Sequence, residues 1–93
     1  MITAIVLIDA DPARIPEICA EVAEVRGVSE VYSVTGEVDI IATVRVREHD
    51  QLADVIADSI SKVEGVLRTQ TYIAFRAYSS EDLEEAFDLG LEG

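Results

Sequence analysis

The sequence has no tryptophan, one cysteine, one histidine, two prolines and only seven basic residues among 93. Each scarcity excludes something. One cysteine cannot form an intrachain disulfide framework. With no tryptophan, two phenylalanines and three tyrosines, the composition disfavours an aromatic-lined cofactor pocket, and no cofactor is expected. Seven bases against 19 acids give a formal net charge of −12, which repels phosphate backbones, so direct nucleic-acid binding is not expected. No apolar stretch approaches the ~20 residues that span a bilayer. Met1 leads into β-branched residues without a basic leader segment. Together these features predict a cytoplasmic protein that does not contact membranes. No glycine loop of the phosphate-cradling kind and no Ser-His-Asp spacing is present, so an enzyme is not expected.

What is abundant is aliphatic: 49% of the residues are apolar, nearly all Val, Ile, Leu and Ala. A chain of this length makes one small domain that buries roughly 60–65% of its unfolded surface. That composition favours helices packed on a sheet.

Residues 2–8, ITAIVLI, read as a strand with Ile2, Ala4, Val6 and Ile8 on one face and Thr3, Ile5 and Leu7 on the other. Asp11-Pro12 opens a helix whose regular part begins near Ile15, because Pro16 deeper inside would remove a hydrogen bond. Ile15, Ile18, Cys19 and Val22 form its apolar stripe, and Gly27 ends it. Residues 28–41, VSEVYSVTGEVDII, read as a hairpin around the polar turn at 35–39. The second arm continues to Arg47, with Ile40, Ala42, Val44 and Val46 on one face. Its other face, Ile41, Thr43, Arg45 and Arg47, turns from apolar to basic. A second helix is predicted from an Asp50 cap through Leu52, Val55, Ile56, Ile60 and Val63 to Gly65. Residues 66–78 read as a last strand, and Ser80 caps a short acidic helix over 81–89. Domain boundaries follow: a folded unit over 1–78 and an acidic tail over 79–93.

Val25-Arg26-Gly27-Val28 and Val63-Glu64-Gly65-Val66 are echoes of one another, each ending a helix and starting a strand. The order is therefore βαββαβ, a ferredoxin-like α+β arrangement with both helices on one face of a four-stranded antiparallel sheet. The other face, carrying Ile5 and Leu7, is too apolar for water. The economical cover is a second copy, with two sheets stacked about 10 Å apart in a homodimer.

Asp9, Asp11 and His49 lack the spacing of a closed metal site and read as turn and cap residues. Cys19 lies on an apolar helix face, where cysteine behaves as a small hydrophobe. The turn at 35–39 offers more. Gly36 permits positive φ, neighbouring amides suit an anion, and Asp39 suits an ammonium, a combination matching a free amino acid. Thr69 and Thr71 on the last strand could add hydroxyls. A turn that only closes two strands, with threonine as an ordinary strand residue, accounts for the same residues.

The series Gly27-Val28, Val31-Tyr32, Val34-Thr35-Gly36-Glu37, Asp39-Ile40-Ile41, then Gly65-Val66, Thr69 and Thr71, resembles the effector-binding (RAM) domain of the Lrp/AsnC transcription regulators over about residues 2–78. The resemblance implies a ferredoxin-like protomer, dimers closed into an α/β barrel, assembly into tetramers or octamers, and an amino-acid effector held between dimers. By position, Thr35, Gly36, Glu37, Val38, Asp39, Thr69 and Thr71 become the ligand-binding residues; family members often carry an aromatic residue where Val38 stands. The family's regulators begin with a helix-turn-helix domain, whereas here the first strand begins at Ile2, which resembles a stand-alone sensing domain that could assemble with full-length regulators. A purely structural module in mixed oligomers, or a small dimeric α/β-barrel enzyme, are the alternatives.

Overall fold

The computed structural model describes residues 1–79. The predicted Ser80 cap and the helix over 81–89 lie outside the described residues. Six main elements follow in the order β1 (Ile2–Ala10), α1 (Ile15–Ala23), β2 (Val28–Ser33), β3 (Ile40–Val46), α2 (His49–Ile56) and β4 (Val66–Ile73). Short 3-10 turns at Pro12–Arg14 and Ile60–Lys62 precede α1 and follow α2.

The strands form one antiparallel sheet in the order β2-β3-β1-β4, the ferredoxin-like α+β topology expected from the element order. β1 holds the centre because it is apolar on both faces and pairs on both sides. Ala4, Val6 and Ile8 lie opposite Val44, Ala42 and Ile40 of β3, and opposite Ile73, Thr71 and Thr69 of β4. Directly opposed residues share a face. Period-two alternation therefore gathers Ala4, Val6, Ile8, Ala10, Ile40, Ala42, Val44 and Val46 on one side, where Ile18 and Val22 of α1, Leu52 and Val55 of α2 and Ile60 complete the core. Each fully buried Val or Ile there contributes roughly 1.5–3 kcal/mol of transfer free energy.

Local chemistry decides the helix boundaries. Asp11 accepts from the Ala13 amide at 3.0 Å and caps the first 3-10 turn, so the α-helical geometry starts at Ile15, as Pro16 predicts. The second helix differs from the sequence expectation at both ends. Its N-cap is Glu48, not Asp50: the Glu48 side chain accepts from the Gln51 amide, and Gln51 Oε1 accepts in return from the Arg47 and Glu48 amides, each at 2.9 Å. It ends at Ile56 rather than running to Val63. There Ser59 Oγ donates to the Asp54 carbonyl at 3.1 Å, and Asp58 N donates to the Ala53 carbonyl at 3.2 Å. A serine that takes a helix carbonyl for itself competes with the next turn. Ile60 is nevertheless fully buried, so the predicted apolar stripe survives the change of helix type. β4 stops at Ile73, five residues short of the predicted end, after which Ala74 N still reaches the Thr3 carbonyl at 2.9 Å.

The two echoed segments adopt the same backbone. Val28 N donates to Val25 O and Val66 N to Val63 O, both at 3.1 Å, with Gly27 and Gly65 at φ +101° and +99°. A Cβ on Gly27 would lie 2.9 Å from Val55 of α2, and one on Gly65 would lie 2.7 Å from Ile18 of α1.

The sheet face turned away from the helices carries Tyr32, Ile41 and Leu7 in one row and Thr43, Ile5 and Tyr72 in the next, by the strand register. Tyr32 is 47%, Ile5 38% and Tyr72 52% exposed, so nothing among the described residues covers the middle of this face.

Candidate ligand site at the hairpin turn

Three bonds through Asp39 hold the turn at 35–39, one closing the hairpin and two tying it to the end of β1. Val34 N donates to the Asp39 carbonyl at 3.0 Å, Asp39 N donates to the Ile8 carbonyl at 3.0 Å, and Asp39 Oδ2 accepts from the Ala10 amide at 2.9 Å. Half-buried Asp39 therefore commits one carboxylate oxygen to the chain's own backbone and holds the turn against the central strand. Thr35, Gly36 and Glu37 are exposed, and Val38 is half-buried. Gly36 has φ +134°, and no atom comes within 4 Å of where its Cβ would stand, so the glycine answers a backbone need and leaves open space beside it.

Thr69 lies opposite Ile8, which also faces Ile40, so it stands at the same end of the sheet as the turn, two strands or about 10 Å away. Thr71 is one pair further towards the middle. Both threonines share the face of Ile8 and Val6, the side on which the helices lie. Thr69 is half-buried, and Thr71 is exposed on the edge strand.

On the opposite, uncovered face a small cavity of about 130 Å³ joins Glu37 and Val38 of the turn to Leu7, Asp9, Arg68 and Gln70. Asp9 and Arg68 are direct cross-strand neighbours, as are Leu7 and Gln70. The cavity thus gathers one guanidinium, Arg68, and two carboxylates, Asp9 and the turn's own Glu37, and of the seven residues singled out in the sequence only Glu37 and Val38 line it. Asp9, Arg68 and Gln70 were missed; the available signal was an acid at the end of the first strand and a base near the start of the last. Gln70 Nε2 donates to the Tyr72 hydroxyl at 2.9 Å, and the Tyr32 hydroxyl donates to the Glu30 carboxylate, which with partial burial holds the Tyr32 phenol above its ordinary pKa. Among the described residues no group of three His, Cys, Asp or Glu side chains could hold a metal ion, and no helix is long and apolar enough to cross a membrane.

The four-stranded sheet, with both helices on one face and the anchored Gly-x-x-Asp turn at one end, is a ferredoxin-like α+β domain. The chain belongs to the Lrp/AsnC family: residues 3–83 match its ligand binding domain. It is 35% identical over 72 residues to an HTH-type transcriptional regulator of Pyrococcus abyssi, covering 77% of this chain and 46% of that protein. It is also 35% identical over 78 residues to the HTH-type transcriptional regulator LysM of Sulfurisphaera tokodaii, covering 83% and 55%. The chain thus spans about half the length of these regulators. Among solved structures, TTHA0845 from Thermus thermophilus superposes with a TM-score of 0.80 at 47% identity, over 85% of this chain and 99% of that one. A feast or famine regulatory protein from M. tuberculosis, complexed with L-methionine, superposes with a TM-score of 0.72 at 28% identity, over 87% of this chain and 54% of that one.

Proposed function

We propose that this chain is a non-enzymatic sensing domain that binds a free amino acid at the turn end of its sheet and is linked to transcription regulation in the cytoplasm through full-length relatives. The observation that carries this reading is the meeting of Arg68, Asp9 and Glu37 in one small cavity. A guanidinium pairs with a carboxylate in two parallel bonds, and Asp9 or Glu37 accepts from an ammonium. The bound L-methionine of the M. tuberculosis relative supports the same ligand class.

In this reading the middle of the uncovered sheet face, around Ile5 and Tyr72, is the homodimer contact, the cavity lies at its turn-side edge, and dimers assemble further into tetramers to octamers. Thr35 and Gly36 border the ligand, while Asp39 positions the turn. Thr69 and Thr71, on the other face, reach an effector only across a contact between dimers.

Thermal shift against the twenty amino acids tests this. At least one should raise the melting temperature, since a ligand at 100 times its Kd stabilises the folded state by about 2.7 kcal/mol. Arg68→Gln should remove the shift. A flat response across the panel would refute the sensor and leave a structural module in mixed oligomers.

A further inference from the structure

At the opposite end of β3, about 20 Å along the strand from the turn, a groove of about 610 Å³ is lined by Arg26, Arg45 and Arg47. These are three of the seven basic residues in a chain that carries 19 acids. Among the described residues Asp54 is the one acid lining the groove, and none of the three arginines has a carboxylate within 4 Å; the ion pair formed elsewhere is Arg14 with Glu21 at 3.7 Å. Three cations gathered against a single acid, in a molecule with acids to spare, mark a place where an anion from elsewhere is favoured.

The groove is also built. Its arginines come from the loop between α1 and β2 and from the end of β3, and its wall comes from α2. The Arg45 amide donates to the Gly27 carbonyl at 2.8 Å, tying that loop to the strand. Gly27 packs so closely on Val55 that no side chain fits between them. The Arg47 and Glu48 amides are both satisfied by Gln51 Oε1, so the strand end is fixed to α2 without using a guanidinium. The backbone is held from three sides, and the charged groups remain available.

We propose that this groove is a second binding site, for a molecule that presents two or more oxyanion groups, phosphates or carboxylates. Guanidinium planes match both groups bidentately, and three of them on exposed ground need more than one anionic group to bind against solvent screening. Two sources supply that chemistry: a free polyanionic metabolite, and residues 80–93 of this chain, which carry six acids and no base.

Isothermal titration with inorganic pyrophosphate, on the full chain and on a full-length variant carrying Glu81→Gln, Asp82→Asn, Glu84→Gln and Glu85→Gln, tests the site and separates the sources. Saturable binding to both chains alike assigns the groove to a free polyanion; binding that is at least tenfold tighter in the neutralised variant shows that the tail's carboxylates occupy it. In either case Arg45→Gln with Arg47→Gln should weaken binding at least tenfold, while Lys62→Gln with Arg76→Gln should leave it unchanged. These four basic side chains are exposed in the protomer, and light scattering on both pairs should report the same assembly as the parent, so that a loss of binding is read at the groove. Absence of saturable binding in both chains, or an equal loss from the Lys62 and Arg76 pair, would overturn the proposal.

Discussion

Asp39 Oδ2 accepts from the Ala10 amide at 2.9 Å, across 29 positions of sequence, and fastens the hairpin turn to the end of the central strand. Removing the acceptor strands a partly buried amide, which costs about 1–3 kcal/mol. Asp39→Ala should therefore lower the melting temperature by several degrees. Asp39→Asn keeps a carbonyl oxygen in place and should lose much less. Equal losses in the two variants would show that charge, not the bond to Ala10, is what matters.

Gly65→Ala should cost about 2 kcal/mol or more, since it combines a left-handed backbone, worth roughly 1–2 kcal/mol against a side chain, with a Cβ 2.7 Å from Ile18 Cδ1. Gly36→Ala incurs only the backbone part, because nothing surrounds it. Denaturant melts of the two variants should differ clearly in midpoint with the same slope.

Thr43 Oγ1 is buried without a hydrogen-bond partner among the described residues. Thr43→Val replaces the hydroxyl by a methyl of the same shape and should raise stability by up to about 1 kcal/mol. A fall in melting temperature instead would show that a group from outside the chain satisfies the hydroxyl.

Ile5→Asp places a charge on the uncovered face. If this face is the proposed homodimer contact, light scattering should report an oligomer for the parent and a monomer for the variant, with the secondary structure unchanged by circular dichroism. Ile8→Ala, on the fully buried side of the same strand, should instead cost about 2–5 kcal/mol.

Partial burial pushes the Cys19 thiol above its ordinary pKa of about 8.5. The native chain should react with iodoacetamide more slowly at neutral pH than the same chain in urea. The sign for stability follows from linkage: the folded state holds the proton more tightly than the unfolded state, so this group stabilises the fold fully below the unfolded value, and that stabilisation is lost as pH rises through the thiol range. In Cys19→Ala the alkaline fall in melting temperature should be shallower.

The strands were legible because alternation reports directly on burial: Ala4, Val6 and Ile8 are fully buried, and Ile5 between them is not. Both helix stripes followed for the same reason. The Glu48 cap was not, because a Glu-x-x-Gln box competes with the stronger cap signal of Asp50 just beyond it. The early end of α2 depends on where one serine hydroxyl points. The candidate site was half legible. Glu37 and Val38 sit in a local turn signal, whereas Asp9 and Arg68 become neighbours only through a register set by strands almost sixty residues apart. The threonines carry the converse lesson: Thr69 stands at the same end of the sheet as the turn, and only the pairing of Ile8 with Thr69 reveals its face.

The paired glycines give the small domain a reciprocal lock. Gly27 closes the first βαβ half yet is packed by Val55 of the second, and Gly65 closes the second yet is packed by Ile18 of the first. Neither half is a self-sufficient module, because the tightest junction of each is moulded by the other's helix. A sequence change at either junction is therefore felt by both halves.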